Sequence, residues 1–508
     1  MATPETQSVR PAGYSELVGR YDIETMPHWH TSFVATAGTH RKESDGASVT
    51  EVYPASYWPG DSVGDHLEFA LKYDGIDLGI LAALFSVADP ADIVSYIESK
   101  PLGKYSRRVW FLYEFLTGRE LPLEDLKRGN YIDVLDAGQY YALTPAPRVR
   151  RQRVNNNLLG NRDFCPMVRR TDTLCTFEED DLAARCREVV ANYSPDMLRR
   201  AMSYLYTKET KSSFEIEHIK PTSSRTERFI SLLQLAEQED FCTKQRLVDL
   251  QNRTVDPRFR DDDYRTSQNY VGETVSWRQE KVHYACPKPD AVPGLMSGLI
   301  EAHKAMEAAG IPPIVQAAAV AYGFVFIHPF EDGNGRIHRF LIHNVLARRG
   351  FSPQGVVLPV SAAMLKDSAA YDASLEAFSK PLMALVEYTL DEQGRMTVTS
   401  DTDKWYAYMD MTPQAEALFR FADRTVRTEL VEELNFIENY DRTKASIQQI
   451  VDMPDRQIDL FIGFCLQNNG RLSARKRSSH FEMLTDDEVQ GMEDAVQAAY
   501  ASPTSSSQ

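Results

Sequence analysis

Apolar residues spaced three and four apart first set up a regular period at Asp65–Tyr73 (DHLEFALKY), Ile76–Ser86 (IDLGILAALFS) and Ala91–Glu98. Ser106–Thr117 (SRRVWFLYEFLT) continues it up to Gly118, so four helices are predicted over residues 60–128. Before them, Tyr14–Pro59 mixes aromatics, prolines and glycines without a period and reads as an irregular layer. Residues 1–13 are polar and expected to be disordered, and residues 14–189 form a mostly helical N-terminal region. Arg148–Arg153 (RVRRQR) reads as a solvated basic linker. Helical periodicity returns at Glu178–Tyr193, and Ser194-Pro195-Asp196 opens the next helix with cap, first-turn proline and first-turn acid in order. That helix runs toward His218, and Pro221 blocks its continuation. Arg225–Gln238, Cys242–Asn252 and Gly294–Ala309 are further helices, while Tyr264–Tyr284 alternates around Gly272 as a β-hairpin does. After Asp403, three helical segments (Gln414–Leu434, Thr443–Val451, Asp455–Gln467) lead into Asn469-Gly470 and the basic stretch Arg475–Phe481. Three helices, a turn and a short basic ribbon predict a winged-helix-like domain over 403–500, followed by a disordered tail, 501–508.

Composition narrows this only a little. A chain of 508 residues implies two to four domains, and 43% hydrophobic with 25% charged residues is ordinary for a globular protein. A net charge of −17 argues against general nucleic-acid binding, though not against a local basic patch. No apolar run approaches the roughly 20 residues that cross a bilayer, and the first residues lack a secretory pattern, so a cytoplasmic location without membrane contact is expected. The six cysteines are scattered without a CxxC pair, which points to neither a disulfide framework nor a zinc site.

The chemistry concentrates in His328–Arg339, HPFEDGNGRIHR, between the apolar segment Ile314–Ile327 and the helical pattern Phe340–Ala347. Gly333-Asn334-Gly335 ahead of a helix can turn successive backbone N–H groups toward one point, and the helix N-terminus adds positive potential, which suits a phosphate. Arg336 and Arg339, three residues apart, point to one side and can grip phosphates with paired hydrogen bonds. Asp332 beside them suits Mg²⁺, which binds one or two carboxylates together with substrate phosphates. His328 is the candidate base, Phe330 a buried pin, and His303, His338 and His343 read as structural.

The stretch matches H-P-F-x-[DE]-G-N-G-R-x-x-R at every fixed position and so resembles the signature of Fic-domain proteins. The resemblance implies a mainly α fold: a Fic helical core over residues 190–395 with a β-hairpin flap, flanked by the helical N-terminal region and the winged-helix-like domain. It also implies protein adenylyltransferase activity, in which AMP moves from ATP to a Ser, Thr or Tyr hydroxyl of a target protein, or of the chain itself. On that reading His328 is catalytic, Asp332 holds Mg²⁺, and Gly333, Asn334, Gly335, Arg336 and Arg339 bind the phosphates. Gln268, Asn269, Tyr270, Val271 and Gly272 belong to a flap that docks the target. Gly335 stands where a phosphotransferring subfamily has lysine, which favours adenylyl transfer. An inhibitory helix near 205–219 is also implied: Ser213-Phe214-Glu215-Ile216-Glu217-His218 resembles [ST]-x-x-x-E-[GN], with His218 replacing the last residue. Glu217 would then compete with the γ-phosphate for Arg339, and in some relatives the same glutamate also positions a water that removes AMP. Two alternatives stand beside this reading. One is a regulator or adaptor whose wing, with Arg471, Arg475, Lys476 and Arg477, binds DNA. The other is transfer of a different phosphate-linked group such as UMP or phosphocholine.

Overall fold

The computed structural model describes residues 9–36, 39–46, 48–276 and 279–500. The expected disorder of residues 1–8 and 501–508 lies outside the described residues. Val9–Ala12 is a strand, so the disorder expected up to residue 13 stops short of it.

The stretch read as irregular contains a four-stranded sheet. Val9–Ala12 pairs antiparallel with His30–Ala35, which runs parallel to Val49–Tyr53, which in turn pairs antiparallel with Arg41–Ser44. Its period is hidden because the inward positions of His30–Ala35 begin with His30 and Ser32. Those polar groups are satisfied internally: His30 Nε2 meets Glu51 Oε2 at 2.8 Å and Nδ1 meets Asp74 Oδ1 at 3.2 Å. The four predicted helices follow as Val63–Phe69, Leu78–Val87, Pro90–Ser99 and Lys104–Thr117, the last ended by Gly118 at φ 68°. Arg148–Arg153 is no solvated linker, since Arg151 pairs with Glu114 at 3.1 Å and Asp125 at 2.8 Å.

Beyond residue 171 the chain is mostly helical and surrounds two central helices, Pro313–Ile327 and Asn334–Arg348. Pro313–Ile327 is apolar on all sides because it is enclosed on all sides. The helix Pro195–Glu215 starts as predicted, with Ser194 accepting from the Met197 N–H at 3.3 Å. It is held from two directions. Glu209, fully buried, meets His343 Nε2 of Asn334–Arg348 at 2.7 Å and takes the Ser361 N–H at 2.9 Å. Lys208 reaches Glu429 at 2.9 Å and Glu433 at 2.8 Å, where the chain runs into the helix Leu430–Ile450.

The C-terminal region corrects the winged-helix expectation. Past Leu430 the regular elements among the described residues are all helices, and Ile447, Ile458, Phe461, Phe481, Met492 and Val496 form a small core of their own. The predicted ribbon is the helix Ala474–His480, capped by Ser473 accepting from the Lys476 N–H. The Asn469-Gly470 pair, a hairpin signal by sequence, instead ends the helix Asp455–Leu466: both residues are left-handed and the Gly470 N–H bonds Cys465 O at 2.8 Å. Among the described residues no single helix is long and apolar enough to cross a membrane.

Candidate active site

His328 ends the helix Pro313–Ile327 in a left-handed conformation, φ 53° and ψ 59°. Its Nδ1 lies 3.1 Å from Val325 O. A carbonyl only accepts, so Nδ1 carries the proton and Nε2 keeps its lone pair free as a base. Burial pushes the ring down to about 4; the Arg265 charge adds to this, while the Val325 bond and the Asp332 charge oppose it. The imidazole is therefore neutral at physiological pH.

The turn that follows is braced by its own residues. Phe330 is fully buried, and Asn334 spans the turn: its Oδ1 accepts from the Phe330 N–H at 3.1 Å and its Nδ2 donates to Phe330 O at 2.7 Å. Both ends of the Asn334 side chain are thus committed to the loop, and a phosphate would be met by backbone N–H groups. Gly333 stands at φ 91°, and an added Cβ would lie 2.8 Å from Val255. No side chain caps the N-terminus of Asn334–Arg348, which leaves its first N–H groups available to an anion.

Arg336 and Arg339 are buried, at 0% and 2% exposure, rather than lying on the surface. Arg339 donates from Nη2 to Glu217 Oε1 at 2.7 Å and to Ser213 O at 2.6 Å, and from Nε to Ser213 Oγ at 2.9 Å. Arg336 donates from Nη2 to Asp332 Oδ1 at 2.7 Å and from Nη1 to Thr254 O at 3.2 Å. Its Nε lies 2.7 Å from Glu217 Oε2, an ion pair in which the N–H does not align as a donor. Glu217 therefore spans both arginines, one more than the sequence suggested. Glu215, on another side of the helix end, is exposed.

His218 explains the shape of that end. The Ile219 N–H bonds Phe214 O at 3.0 Å and the His218 N–H bonds Glu215 O at 2.8 Å, with His218 at φ 56°. This is the Schellman termination, whose left-handed residue is easiest for Gly or Asn. The departure at His218 leaves the geometry intact and places Glu217 against the signature helix. At Gly335 an added Cβ would come 2.5 Å from Glu217 Oε1, so the carboxylate lies directly over the first turn of Asn334–Arg348.

Asp332 fits a role in holding a cation together with phosphates. Its Oδ1 takes the Gly333 N–H at 2.6 Å and Arg336, while the partly exposed carboxylate has no hydrogen bond on its other oxygen among the described residues. Among those residues no group of three or more His, Cys, Asp or Glu could hold a metal by itself, so a cation here would need ligands from a substrate.

The hairpin is Tyr270–Ser276 paired antiparallel with Gln279–Ala285, shorter than the stretch that predicted it. A register shift falls between Val271 and Gly272, and a Cβ on Gly272 would meet Lys281 O at 2.6 Å. Gln268 and Asn269 are its footing: Gln268 Nε2 donates to Cys286 O at 2.8 Å, and Asn269 Nδ2 lies 3.4 Å from the Phe330 and Glu331 carbonyls. Val271 and Gly272 face solvent, and Tyr270 is half-buried.

The sequence reading missed Arg265 and Gln251. Gln251, fully buried, ties Asp261 to the loop: its Nε2 donates to Asp261 Oδ2 at 3.0 Å and reaches Asp332 O at 3.4 Å. Neither residue stands out by type or spacing, because the partners of both are brought together only by the fold.

Residues 241–346 match the Fic/DOC family. The chain is 26% identical over 288 residues to protein adenylyltransferase Fic of Aedes aegypti, covering 51% of this chain and 55% of that protein. It is 33% identical over 122 residues to protein adenylyltransferase Fic of Culex quinquefasciatus, covering 23% and 22%. The chain thus spans about half the length of the first relative and less of the second. Among solved structures, a Fic-domain-containing signalling protein from Bacteroides thetaiotaomicron is 18% identical with a TM-score of 0.38, covering 51% of this chain and 96% of that one. With the signature loop folded around a neutral histidine and two buried arginines, and the family match spanning that loop, residues 241–346 of this chain form a Fic domain.

Proposed function

We propose that the chain is a protein adenylyltransferase held down by Glu217. Support comes from the relatives, which are named protein adenylyltransferases. The observation that carries the reading is the Glu217 carboxylate laid across Arg336 and Arg339 at an uncapped helix N-terminus. With Glu217 in place, the guanidiniums of Arg336 and Arg339 are both paired with carboxylates, Glu217 and Asp332. Withdrawing Glu217 leaves the Arg339 guanidinium, itself buried, without its carboxylate, which suits the β- and γ-phosphates of ATP.

In the transfer step a target hydroxyl gives its proton to His328 Nε2 while its oxygen bonds the α-phosphorus. The bond from that phosphorus to the bridging oxygen breaks, and pyrophosphate leaves. Arg336, Arg339 and the N–H groups of the first turn, including that of Gly335, hold the departing charge. Mg²⁺ held by Asp332 and the phosphates would offset the remaining negative charge. The exposed edge of Tyr270–Ser276 would offer the target segment a strand to pair with.

The test is intact mass after incubation with MgATP. Glu217→Gly should gain one or more AMP units on itself, the unaltered protein few and His328→Ala none. A Glu217→Gly protein that labels neither itself nor any protein in a lysate defeats the assignment.

A further inference from the structure

We infer that Arg265 is a positioning residue for His328, locking the base's backbone to both feet of the hairpin. The inference rests on the adenylyl-transfer reading for the base's role, but the clamp itself is geometric.

Arg265 is 4% exposed, and its side-chain hydrogen bonds among the described residues all go to backbone carbonyls. Nε donates to His328 O at 2.8 Å, Nη1 to Ser267 O at 2.7 Å and Nη2 to Pro287 O at 2.7 Å. Its own N–H donates to Pro329 O at 2.8 Å. The four acceptors come from three places: the base and its successor, the residues entering Tyr270–Ser276, and the residues leaving Gln279–Ala285. One rigid guanidinium fork can serve such diverging carbonyls at once; the point charge of a lysine cannot.

This matters because His328 holds a left-handed backbone, which costs a non-glycine residue energy and persists only where the surroundings over-determine it. That backbone is what brings Nδ1 to Val325 O and sets the tautomer. The guanidinium thus supplies the outside grip on the strained peptide. The charged groups acting on the ring are Arg265 and Asp332, and Arg265 disfavours the imidazolium. The same clamp makes the hairpin's footing and the base one rigid piece, so a target strand docked on the hairpin is held in fixed register with Nε2.

The test uses the full chain in the Glu217→Gly background, with Arg265→Lys and Arg265→Ala. A misplaced base lowers kcat by about 100-fold while KM for ATP stays near the parent value, because the phosphate grip is untouched. Millimolar guanidinium ion should restore part of the Arg265→Ala rate and none of the Arg265→Lys rate. Histidine-labelled NMR titration of His328 reads the clamp without any turnover: its pKa should rise in Arg265→Ala. If the Glu217→Gly parent transfers no AMP while the His328 pKa still moves, the functional reading fails and the clamp stands. A parent-like kcat in Arg265→Lys, or a rise in KM for ATP without loss of kcat, overturns the positioning role. If Arg265→Ala fails to fold, the kcat and His328 titration of Arg265→Lys decide the matter.

Discussion

Arg339 Nη2 donates to Glu217 Oε1 at 2.7 Å, joining two residues 122 positions apart across the face where a nucleotide's phosphates would lie. The contact is held in place by the rest of the helix end, where the Ser213 carbonyl and hydroxyl take two further bonds from the same guanidinium. On the proposed reading, the competition is between an internal carboxylate already in position and a ligand that must arrive.

Removing the carboxylate should tighten nucleotide binding. A hydrogen bond to a charged group is worth about 1.5–3 kcal/mol, so Glu217→Gly should bind a non-hydrolysable ATP analogue at least about tenfold more tightly. Glu217→Gln, which keeps the shape and loses the charge, should fall between. Calorimetric titration at fixed Mg²⁺ and low salt reads the order, and equal affinities for all three proteins would contradict it.

His218 carries a left-handed φ of 56° that glycine would adopt without cost. His218→Gly should stabilise the fold by about 1 kcal/mol, and by holding the helix end more firmly it should lower any residual transfer. His218→Val should do the opposite. Urea unfolding midpoints are the measurement.

Glu209 is fully buried against His343 and Ser361. Glu209→Ala leaves that histidine and a backbone N–H without partners, so the loss should be about 3–5 kcal/mol, as for a broken buried pair. Exposed Glu215→Ala, six residues on, should stay within about 0.5 kcal/mol. Comparable losses for the two variants would mean that Glu209 does not anchor the helix.

If His328 is the base of the proposed transfer, its low pKa, about 4, should set the acid limit of the reaction. The neutral ring is the active form, so kcat/KM of Glu217→Gly should stay level as pH falls through about 6.5 and drop only near 4. The same group links pH to stability. Its pKa is lower folded than unfolded, so its contribution is complete above about 6.5 and is lost as pH falls from there toward 4. A rate that halves near pH 6.5 would mean the ring is not desolvated.

How far the sequence could be read depended on where each signal resided. The helices Leu78–Val87, Pro195–Glu215 and Val292–Ala308 were legible because period, cap and stop are local properties. The N-terminal sheet was not, because His30 and Ser32 occupy inward positions that a hydrophobic pattern assigns to apolar residues. The basic stretch at Arg475 was misread for a similar reason: Asn469-Gly470 suits a hairpin or a helix end equally well, and only the small core behind Phe481 selects the helix.

At the site, the sequence alone singled out the candidate residues. His328, Asp332, the Gly333-Asn334-Gly335 turn, Arg336, Arg339 and Glu217 were all readable, because a twelve-residue spacing and a helix-end motif are short-range facts. Only the tertiary structure decided that both arginines are buried, that Glu217 spans the pair, that Asn334 braces the loop, and that Arg265 grips the base. Each of these depends on groups distant in sequence meeting inside a low-dielectric core, and no local pattern encodes where a side chain's partners will come from.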